Sequence, residues 1–204
     1  MPAYRLMYFN GRGVAEVSRQ LFALAGLEYE DARIERDEWP KLKSGTPFGK
    51  MPVLFVDGNP LPQSFAIARY LAREFGFAGK NSFEAAWVDA LADQFKDYYL
   101  EFHKYFVALM GHGDKDALRK TIGEPVRDKH FTFFEGILKD NHSGYLVGDS
   151  ITWVDLMVAE DVYMLNEKVP GFLDEFPKIN VHSKMIRSTP RLKEYIENRP
   201  KTIF

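Results

Sequence analysis

The segment from Pro47 to Leu71 reads PFGKMPVLFVDGNPLPQSFAIARYL. Residues 53–56, Val-Leu-Phe-Val, form a short apolar run that ends at a Asp-Gly pair. Such a run between turn residues is typical of a buried strand that leaves through a tight turn. The segment therefore predicts a strand, a turn and then a helix.

Gln63 and Ser64 stand directly before the predicted helix, whose apolar residues share one face at i, i+3 and i+4 spacing: Phe65, Ala68, Leu71, Ala72 and Phe75. Both polar side chains are therefore expected at a helix N-terminus. Backbone N–H groups and the helix dipole favour an anion at such an end. A Ser at this position is also a common helix cap, so both roles stay open for Ser64.

Composition excludes several classes of protein. The chain has 204 residues, a net charge of −2 and no Cys. This length suits one large domain or two small ones. The near-neutral charge gives no basic surface for binding nucleic acid or an anionic membrane. Without Cys there is no disulfide framework, no Cys-based zinc site and no catalysis by a thiol of the protein itself.

Metal binding and membrane insertion are not expected either. The five His residues are far apart and have no metal-ligand spacing: His103, His112, His130, His142 and His182. The first ten residues, MPAYRLMYFN, lack a basic region followed by an apolar run, and no segment approaches the ~18 apolar residues of a membrane span. We therefore expect a cytoplasmic protein.

The first 76 residues alternate between strand and helix patterns. Residues 4–9 predict a strand, Val14 to Leu24 a helix that stops at Gly26, and Tyr29 to Ile34 a second strand. Residues 35–52 are polar and irregular. With the strand, turn and helix that follow, this part of the chain predicts the order βαβ and then ββα.

The remainder has almost no strand pattern. Residues 77–82 predict a linker, and residues 83–110 and 115–140 predict long helices, the second of them kinked at Pro125. Thr152 and Asp155 form a capping box, and Thr189-Pro190 is typical of a helix start. An all-helical domain over residues 83–204 follows from these patterns.

This order of blocks resembles the cytosolic glutathione transferases over the whole chain, and the sigma class in particular. The residues that carry the resemblance are Tyr8-Phe9-Asn10, Arg12-Gly13, Trp39, Lys43, PFGKMPVLFVDG, Gln63-Ser64, Asp97 and SITWVD. The chain is also similar to the nematode sigma-like or nu-class members and to haematopoietic prostaglandin D synthase. The resemblance implies an α/β plus all-α fold, with a thioredoxin-like glutathione-binding domain (1–76) and an all-α domain (83–204).

The resemblance implies that the thiol comes from glutathione as co-substrate. A free thiol with a pKa of ~8.5 is only slightly ionised at neutral pH. A hydroxyl that donates to the sulfur contributes about 1.5–3 kcal/mol, or about one to two pKa units. The resemblance assigns this catalytic role to Tyr8, with Arg12 adding positive potential. Considered alone, Tyr8 is better explained as an aromatic packing residue on a strand.

The remaining glutathione contacts are also implied by the resemblance. It assigns the γ-glutamyl carboxylate to Gln63 and Ser64, the glycyl carboxylate to Trp39 and Lys43 with Lys50 nearby, and the cysteinyl unit to the backbone of Met51, before a cis peptide at Pro52. Taken singly, the two lysines are ordinary surface residues.

The resemblance assigns Asp97 to the γ-glutamyl amine in the site of a neighbouring subunit. It therefore implies a homodimer. The alternative is that Asp97 belongs to a solvated helix face. Prostaglandin D synthase has an acidic cluster near this position that holds a divalent cation. Lys96 argues against that cluster here, so no metal is expected.

The acceptor pocket is implied to be apolar and aromatic, lined by Phe9, Val14, Tyr99, His103, Met157 and Phe204. For each of these residues, core packing is the alternative. Prostaglandin D synthase has Arg and Trp at the positions of Val14 and Lys104, so both residues argue against prostaglandin isomerase activity.

We therefore predict a detoxifying glutathione transferase that conjugates glutathione to hydrophobic electrophiles, with reduction of organic hydroperoxides as a further activity. One rival is a non-catalytic ligandin that carries haem or other apolar ligands. The other is a glutathione-dependent prostaglandin isomerase. Tyr8 favours an enzyme, because a carrier needs no hydroxyl that activates a thiol.

Overall fold

The computed structural model describes residues 2–202, which form two compact units. The first contains residues 2–77 and residues 190–202, and the second contains residues 78–189. Among residues 2–202, no helix is long and apolar enough to cross a membrane.

The first unit is a four-stranded sheet with helices. Its elements are β1 (Tyr4–Phe9), α1 (Glu16–Ala25), β2 (Glu30–Ile34), α2 (Trp39–Leu42), β3 (Val53–Val56), β4 (Asn59–Pro62) and α3 (Ser64–Phe75). The strand order is β2-β1-β3-β4, with β1 and β2 parallel and the other pairs antiparallel. The predicted βαβ-ββα order is confirmed. The region predicted to be irregular contains α2 and a 3-10 turn, Lys43–Gly45.

Side chains from the sheet, α1 and α3 form the core of this unit. Leu6, Leu21, Phe22, Leu54 and Leu71 are fully buried. Burying each such side chain contributes about 1.5–3 kcal/mol, which fixes the sheet against both helices.

The last helix, α9 (Pro190–Asn198), packs on α1 within the first unit. Arg191 donates to the carbonyl oxygen of Leu24 at 3.2 Å, and the Tyr195 hydroxyl donates to Glu16 at 3.0 Å. The helix begins at Pro190, as predicted. The prediction assigned residues 83–204 to one domain. In the structure, residues 190–202 belong to the first compact unit instead.

The second unit is helical. Its elements are α4 (Ser82–Leu109), α5 (Lys115–Leu118), a π-helical turn (Arg119–Gly123), α6 (Glu124–Asp140), α7 (Trp153–Lys168) and α8 (Pro177–Arg187). The predicted helix over 115–140 is helical throughout, but its irregular turn lies at residues 119–123 and not at Pro125. The π turn joins α5 to α6, and Pro125 follows directly after it in the first turn of α6.

The predicted capping box at the start of α7 is confirmed. Both the backbone N–H and the hydroxyl of Thr152 donate to Asp155 at 2.7 Å. The other Asp155 oxygen accepts from the N–H of Leu146 and lies 2.9 Å from Nε2 of His182. This fully buried carboxylate therefore ties α7 to α8 and to the segment before α7.

Candidate active site

Three predicted site segments converge at one end of the sheet because of its register. Met7 pairs with Val53, and Val53 pairs with Pro62. The next residues towards the same end of the sheet are Tyr8 after β1, Pro52 before β3 and Gln63 after β4. The fold therefore brings together the end of β1, the start of β3 and the N-terminus of α3.

Tyr8 is half-buried at the end of β1. Burial raises the pKa of its hydroxyl, while the backbone N–H of Val14, which donates to the oxygen, and the positive charge of Arg19 oppose that shift. Because the pKa is raised overall, the hydroxyl keeps its proton at neutral pH and is a hydrogen-bond donor.

Arg19 is a site residue that the sequence did not reveal. Its side chain is 0% exposed, and its guanidinium carbon lies 5.9 Å from the centroid of the Tyr8 ring. It donates to the carbonyl oxygen of Gly11 at 2.6 Å and to Asp31 at 3.0 Å. Arg19 thus holds the loop after β1. The spacing of Glu16 and Arg19 predicts only a surface ion pair, so no pattern identifies a buried one.

The start of β3 has the backbone geometry that the sequence analysis expected. The Met51-Pro52 peptide bond is cis. Pro52 is buried and Met51 is half-buried. Because β3 begins only at Val53, the backbone of Met51 lies just outside the sheet ladder.

Gln63 and Ser64 lie at the N-terminus of α3, as predicted. Gln63 has φ 77° and ψ 113°, an unusual conformation for a residue other than glycine, and its side chain makes no capping hydrogen bond. A conformation of this kind costs about 1–3 kcal/mol and is concentrated at ligand-binding sites. Ser64 is the first residue of α3 and is half-buried, so its hydroxyl stands beside the N–H groups of the first turn.

The residues predicted to bind the glycyl carboxylate of glutathione all lie between β2 and β3. The half-buried Trp39 ring packs against Phe9, with ring centroids 6.0 Å apart. Lys43 and Lys50 are exposed. Trp39 therefore connects this segment to the residue next to Tyr8, and both lysines present charge to solvent.

Comparisons with known proteins agree with this arrangement. Residues 4–73 match the glutathione S-transferase N-terminal domain, and residues 97–199 match the C-terminal domain. The chain is 50% identical to probable glutathione S-transferase 6 of Caenorhabditis elegans, over 98% of each chain. The chain belongs to the glutathione S-transferase family.

Solved structures of glutathione transferases have the same fold. A Nu-class enzyme from Haemonchus contortus is 53% identical, with a TM-score of 0.93 over the full length of both chains. Monomeric Na-GST-3 of the hookworm Necator americanus is 50% identical, with a TM-score of 0.96 over 99% of this chain and 100% of that one. Like its relatives, this transferase is an enzyme that uses glutathione as co-substrate.

The second unit of the transferase carries the other predicted residues. Asp97 and His103 are exposed on α4, and the Tyr99 ring lies 6.1 Å from that of His103. Met157 is only 7% exposed, which favours its role in the core over that of a pocket wall. Phe204 lies outside the described residues. Among residues 2–202, no group of three or more His, Cys, Asp or Glu side chains could hold a metal ion.

Proposed function

We propose that this transferase activates the glutathione thiol through Tyr8 and adds the thiolate to hydrophobic electrophiles, in the manner of the sigma class. The observation that carries the proposal is the Tyr8 hydroxyl, which is half-buried, has a raised pKa and is fixed by the Val14 N–H. A protonated hydroxyl at this position can donate to a sulfur anion and cannot act as a base at neutral pH.

The chemistry needs no change in the protonation of Tyr8. Its hydrogen bond stabilises the thiolate and shifts ionisation of the thiol towards neutral pH, while the proton leaves to solvent. The sulfur then forms a bond to the electrophilic carbon, and a leaving group such as halide departs with the electron pair of its bond. Arg12, in the loop after β1, adds positive potential beside the developing thiolate.

The convergence of segments at the sheet end supports the assignment of the other glutathione contacts. We assign the γ-glutamyl carboxylate to Gln63 and Ser64, at a helix end that attracts anions. Lys43, Lys50 and the Trp39 indole N–H serve the glycyl carboxylate. The Met51 backbone pairs with the cysteinyl unit as an added strand would.

We further propose a cytoplasmic homodimer in which Asp97 serves the γ-glutamyl amine of the other subunit. Asp97 is exposed on α4, and no partner of its side chain is found among residues 2–202, so it is available to a second chain. Because Na-GST-3 is monomeric, oligomeric state is the decisive observation for this part of the proposal.

We assign the binding of the acceptor substrate to aromatic and apolar side chains. Phe9 and Val14 are half-buried in the first unit, and Tyr99 is half-buried in the second. Such side chains suit hydrophobic electrophiles or organic hydroperoxides, and they would also suit haem carried without chemistry. Val14 and the exposed Lys104 continue to argue against prostaglandin isomerisation.

Steady-state turnover of 1-chloro-2,4-dinitrobenzene with glutathione tests the proposal, and a haem titration is run beside it. We expect saturable turnover in both substrates. Haem binding without measurable conjugation or peroxidase turnover would favour a ligandin and contradict the proposal.

A further inference from the structure

The buried carboxylate of Glu16 joins α9 to the loop beside Tyr8. Glu16 is the first residue of α1 and is only 1% exposed. Its Oε1 accepts from the Tyr195 hydroxyl at 3.0 Å and from Nη1 of Arg199 at 2.6 Å. Its Oε2 accepts from Nη1 of Arg19 at 3.4 Å. One oxygen of the carboxylate therefore faces α9, and the other faces Arg19.

Two carboxylates fix the orientation of the Arg19 guanidinium. Its Nε donates to Asp31 at 3.0 Å, and its Nη1 faces Glu16. Nη1 also donates to the carbonyl oxygen of Gly11 at 2.6 Å and lies 3.4 Å from that of Arg12. Because a guanidinium is planar and rigid, anchoring it at two nitrogens fixes the direction of all its donors. Glu16 therefore acts on the loop through Arg19.

The loop that Arg19 holds contains a direct neighbour of the Tyr8 hydroxyl. The N–H of Val14 donates to that hydroxyl. Val14 lies in the 3-10 turn Gly13–Ala15, directly after the carbonyl groups that Arg19 binds and directly before α1. A shift of this turn therefore changes the contact that fixes the hydroxyl.

We propose that Glu16 is a positioning residue for the transfer reaction and that α9, through Tyr195, forms part of the support of Tyr8. Glu16 is not among the residues assigned to glutathione, and it acts through Arg19 and the loop. The loop in turn holds the hydroxyl at the place from which it donates to the thiolate. The inference rests on the proposed role of Tyr8.

Glu16 also stabilises the fold, because removing one partner of a buried ion pair leaves the other charges uncompensated. Loss of stability alone leaves the bound thiol with its wild-type pKa in the protein that remains folded. Displacement of the Tyr8 hydroxyl raises that pKa, because the hydrogen bond to the thiolate weakens. The pKa of the glutathione thiol in the complex therefore distinguishes a positioning role from a purely structural one.

The ultraviolet absorbance of the thiolate measures this pKa when the full-length enzyme, saturated with glutathione, is titrated with base. Glu16→Gln keeps the size of the side chain and removes its charge. We expect this variant to raise the pKa of the bound thiol by about one unit and to lower kcat at neutral pH about 5-fold. The KM for glutathione should change less than about 2-fold, because the proposed carboxylate contacts are unaltered.

Tyr195→Phe tests the same connection without removing a charge. It deletes the hydroxyl that donates to Glu16 and keeps the ring. We expect the pKa of the bound thiol to rise by about half a unit and kcat to fall about 2-fold. This variant keeps the test valid if Glu16→Gln does not fold.

Arg191→Gln is the matched control on the same helix. Arg191 lies one helical turn before Tyr195 and donates to the carbonyl oxygen of Leu24 at 3.2 Å, at the other end of α1 from Glu16. Its replacement should weaken the packing of α9 on α1 and lower the Tm. The pKa of the bound thiol should stay at its wild-type value, because the contacts of Arg19 are retained.

Tyr8→Phe, measured in the same way, reports on the proposed function by itself. If the thiol pKa rises in Tyr8→Phe but is unchanged in Glu16→Gln and Tyr195→Phe, the positioning role is overturned and the role of Tyr8 stands. If the pKa is unchanged in all three variants, both are overturned. An equal rise in Arg191→Gln would also overturn the positioning role, because any loosening of α9 would then suffice.

Discussion

A Cβ atom on residue 13 would lie only 2.6 Å from the hydroxyl oxygen of Tyr8, a distance that real Cβ contacts essentially never show. Gly13 has φ 43°, a left-handed conformation that favours glycine. The Tyr8 hydroxyl therefore occupies space that exists because residue 13 has no side chain. Its position depends on the loop after β1 as much as on the strand.

Gly13→Ala should lower turnover with 1-chloro-2,4-dinitrobenzene about 10-fold, because the added methyl group displaces the Tyr8 hydroxyl from the sulfur. The KM for glutathione should change little, since no carboxylate contact is altered. Gly45→Ala is the control, because a Cβ there meets no heavy atom within 4 Å. Wild-type turnover in Gly13→Ala would show that the hydroxyl tolerates displacement.

Tyr8→Phe should cut turnover at neutral pH by about 10- to 100-fold while glutathione affinity stays within a few-fold. The variant loses the hydrogen bond to the thiolate and keeps the ring. The thiol in the complex then ionises at a higher pH, so the rate profile should shift to alkaline values. Measuring kcat between pH 6 and about pH 9 checks this. An unshifted profile at full rate would remove Tyr8 from the mechanism.

Ser64→Ala should have the opposite signature and raise the KM for glutathione more than it lowers kcat. In the proposed site the hydroxyl contacts a carboxylate that does not react, so the interaction is equally strong in the ground state and in the transition state. Thermal unfolding of the same variant serves as the control. A normal KM combined with lower stability would mean that Ser64 serves only the first turn of α3.

The parts of the fold that the sequence predicts are those encoded by local patterns. The strand at Val53–Val56, the helix start at Ser64 and the capping box of Thr152 each follow from residues a few positions apart. Burial of Arg19 does not, because its partner Asp31 lies on a different element. Hydrophobic periodicity locates a core face but carries no information about which charges from distant segments meet beneath it.

The packing of α9 on α1 could not be predicted from local patterns, for the same reason. Its first residue could be predicted from Thr189-Pro190, but its contacts depend on Glu16, more than 170 residues earlier in the chain. The π turn before α6 also depends on a distant residue: a Cβ on Gly123 would lie 2.7 Å from the Tyr105 ring. The sequence predicts an irregularity at Pro125 but not its position at residues 119–123, where the helix packs closely on Tyr105.

Asp161 should make the stability of the enzyme depend on pH. Burial raises the pKa of this carboxyl to about 7, against the hydrogen bond that the Tyr98 hydroxyl donates at 2.9 Å, and nearby Glu160 raises it further. The folded protein therefore holds a proton that the unfolded chain releases above about pH 4. The contribution of Asp161 is fully present below that pH and is lost as the pH rises towards about 7.

Asp161→Asn should remove this loss, since the amide carries no charge and its oxygen still accepts from Tyr98. We expect the variant to gain about 4 kcal/mol relative to wild type between pH 4 and pH 8. Chemical denaturation at both pH values measures the difference. The control is Asp140→Asn at an exposed position, which should change little. A constant difference between Asp161→Asn and wild type would mean that Asp161 titrates normally.

The affinity for glutathione tests whether Asp97 contributes to glutathione binding in the other subunit. If Asp97 binds the γ-glutamyl amine in the other subunit, Asp97→Ala should weaken glutathione binding by about 1–3 kcal/mol, the value of a charge-assisted hydrogen bond. The variant should remain dimeric, as measured by analytical ultracentrifugation. Asp140→Ala, at another exposed acidic position, is the matched control.

Mixed dimers give the sharpest form of this test. In a heterodimer of Tyr8→Phe and Asp97→Ala subunits, a shared site places both defects in one active site and leaves the other intact. Such a heterodimer should retain about half of the wild-type activity, because each intact site works alone. If Asp97 acts within its own subunit, each site carries one defect and activity falls well below half. That result, or a fully active monomer, would contradict the shared site.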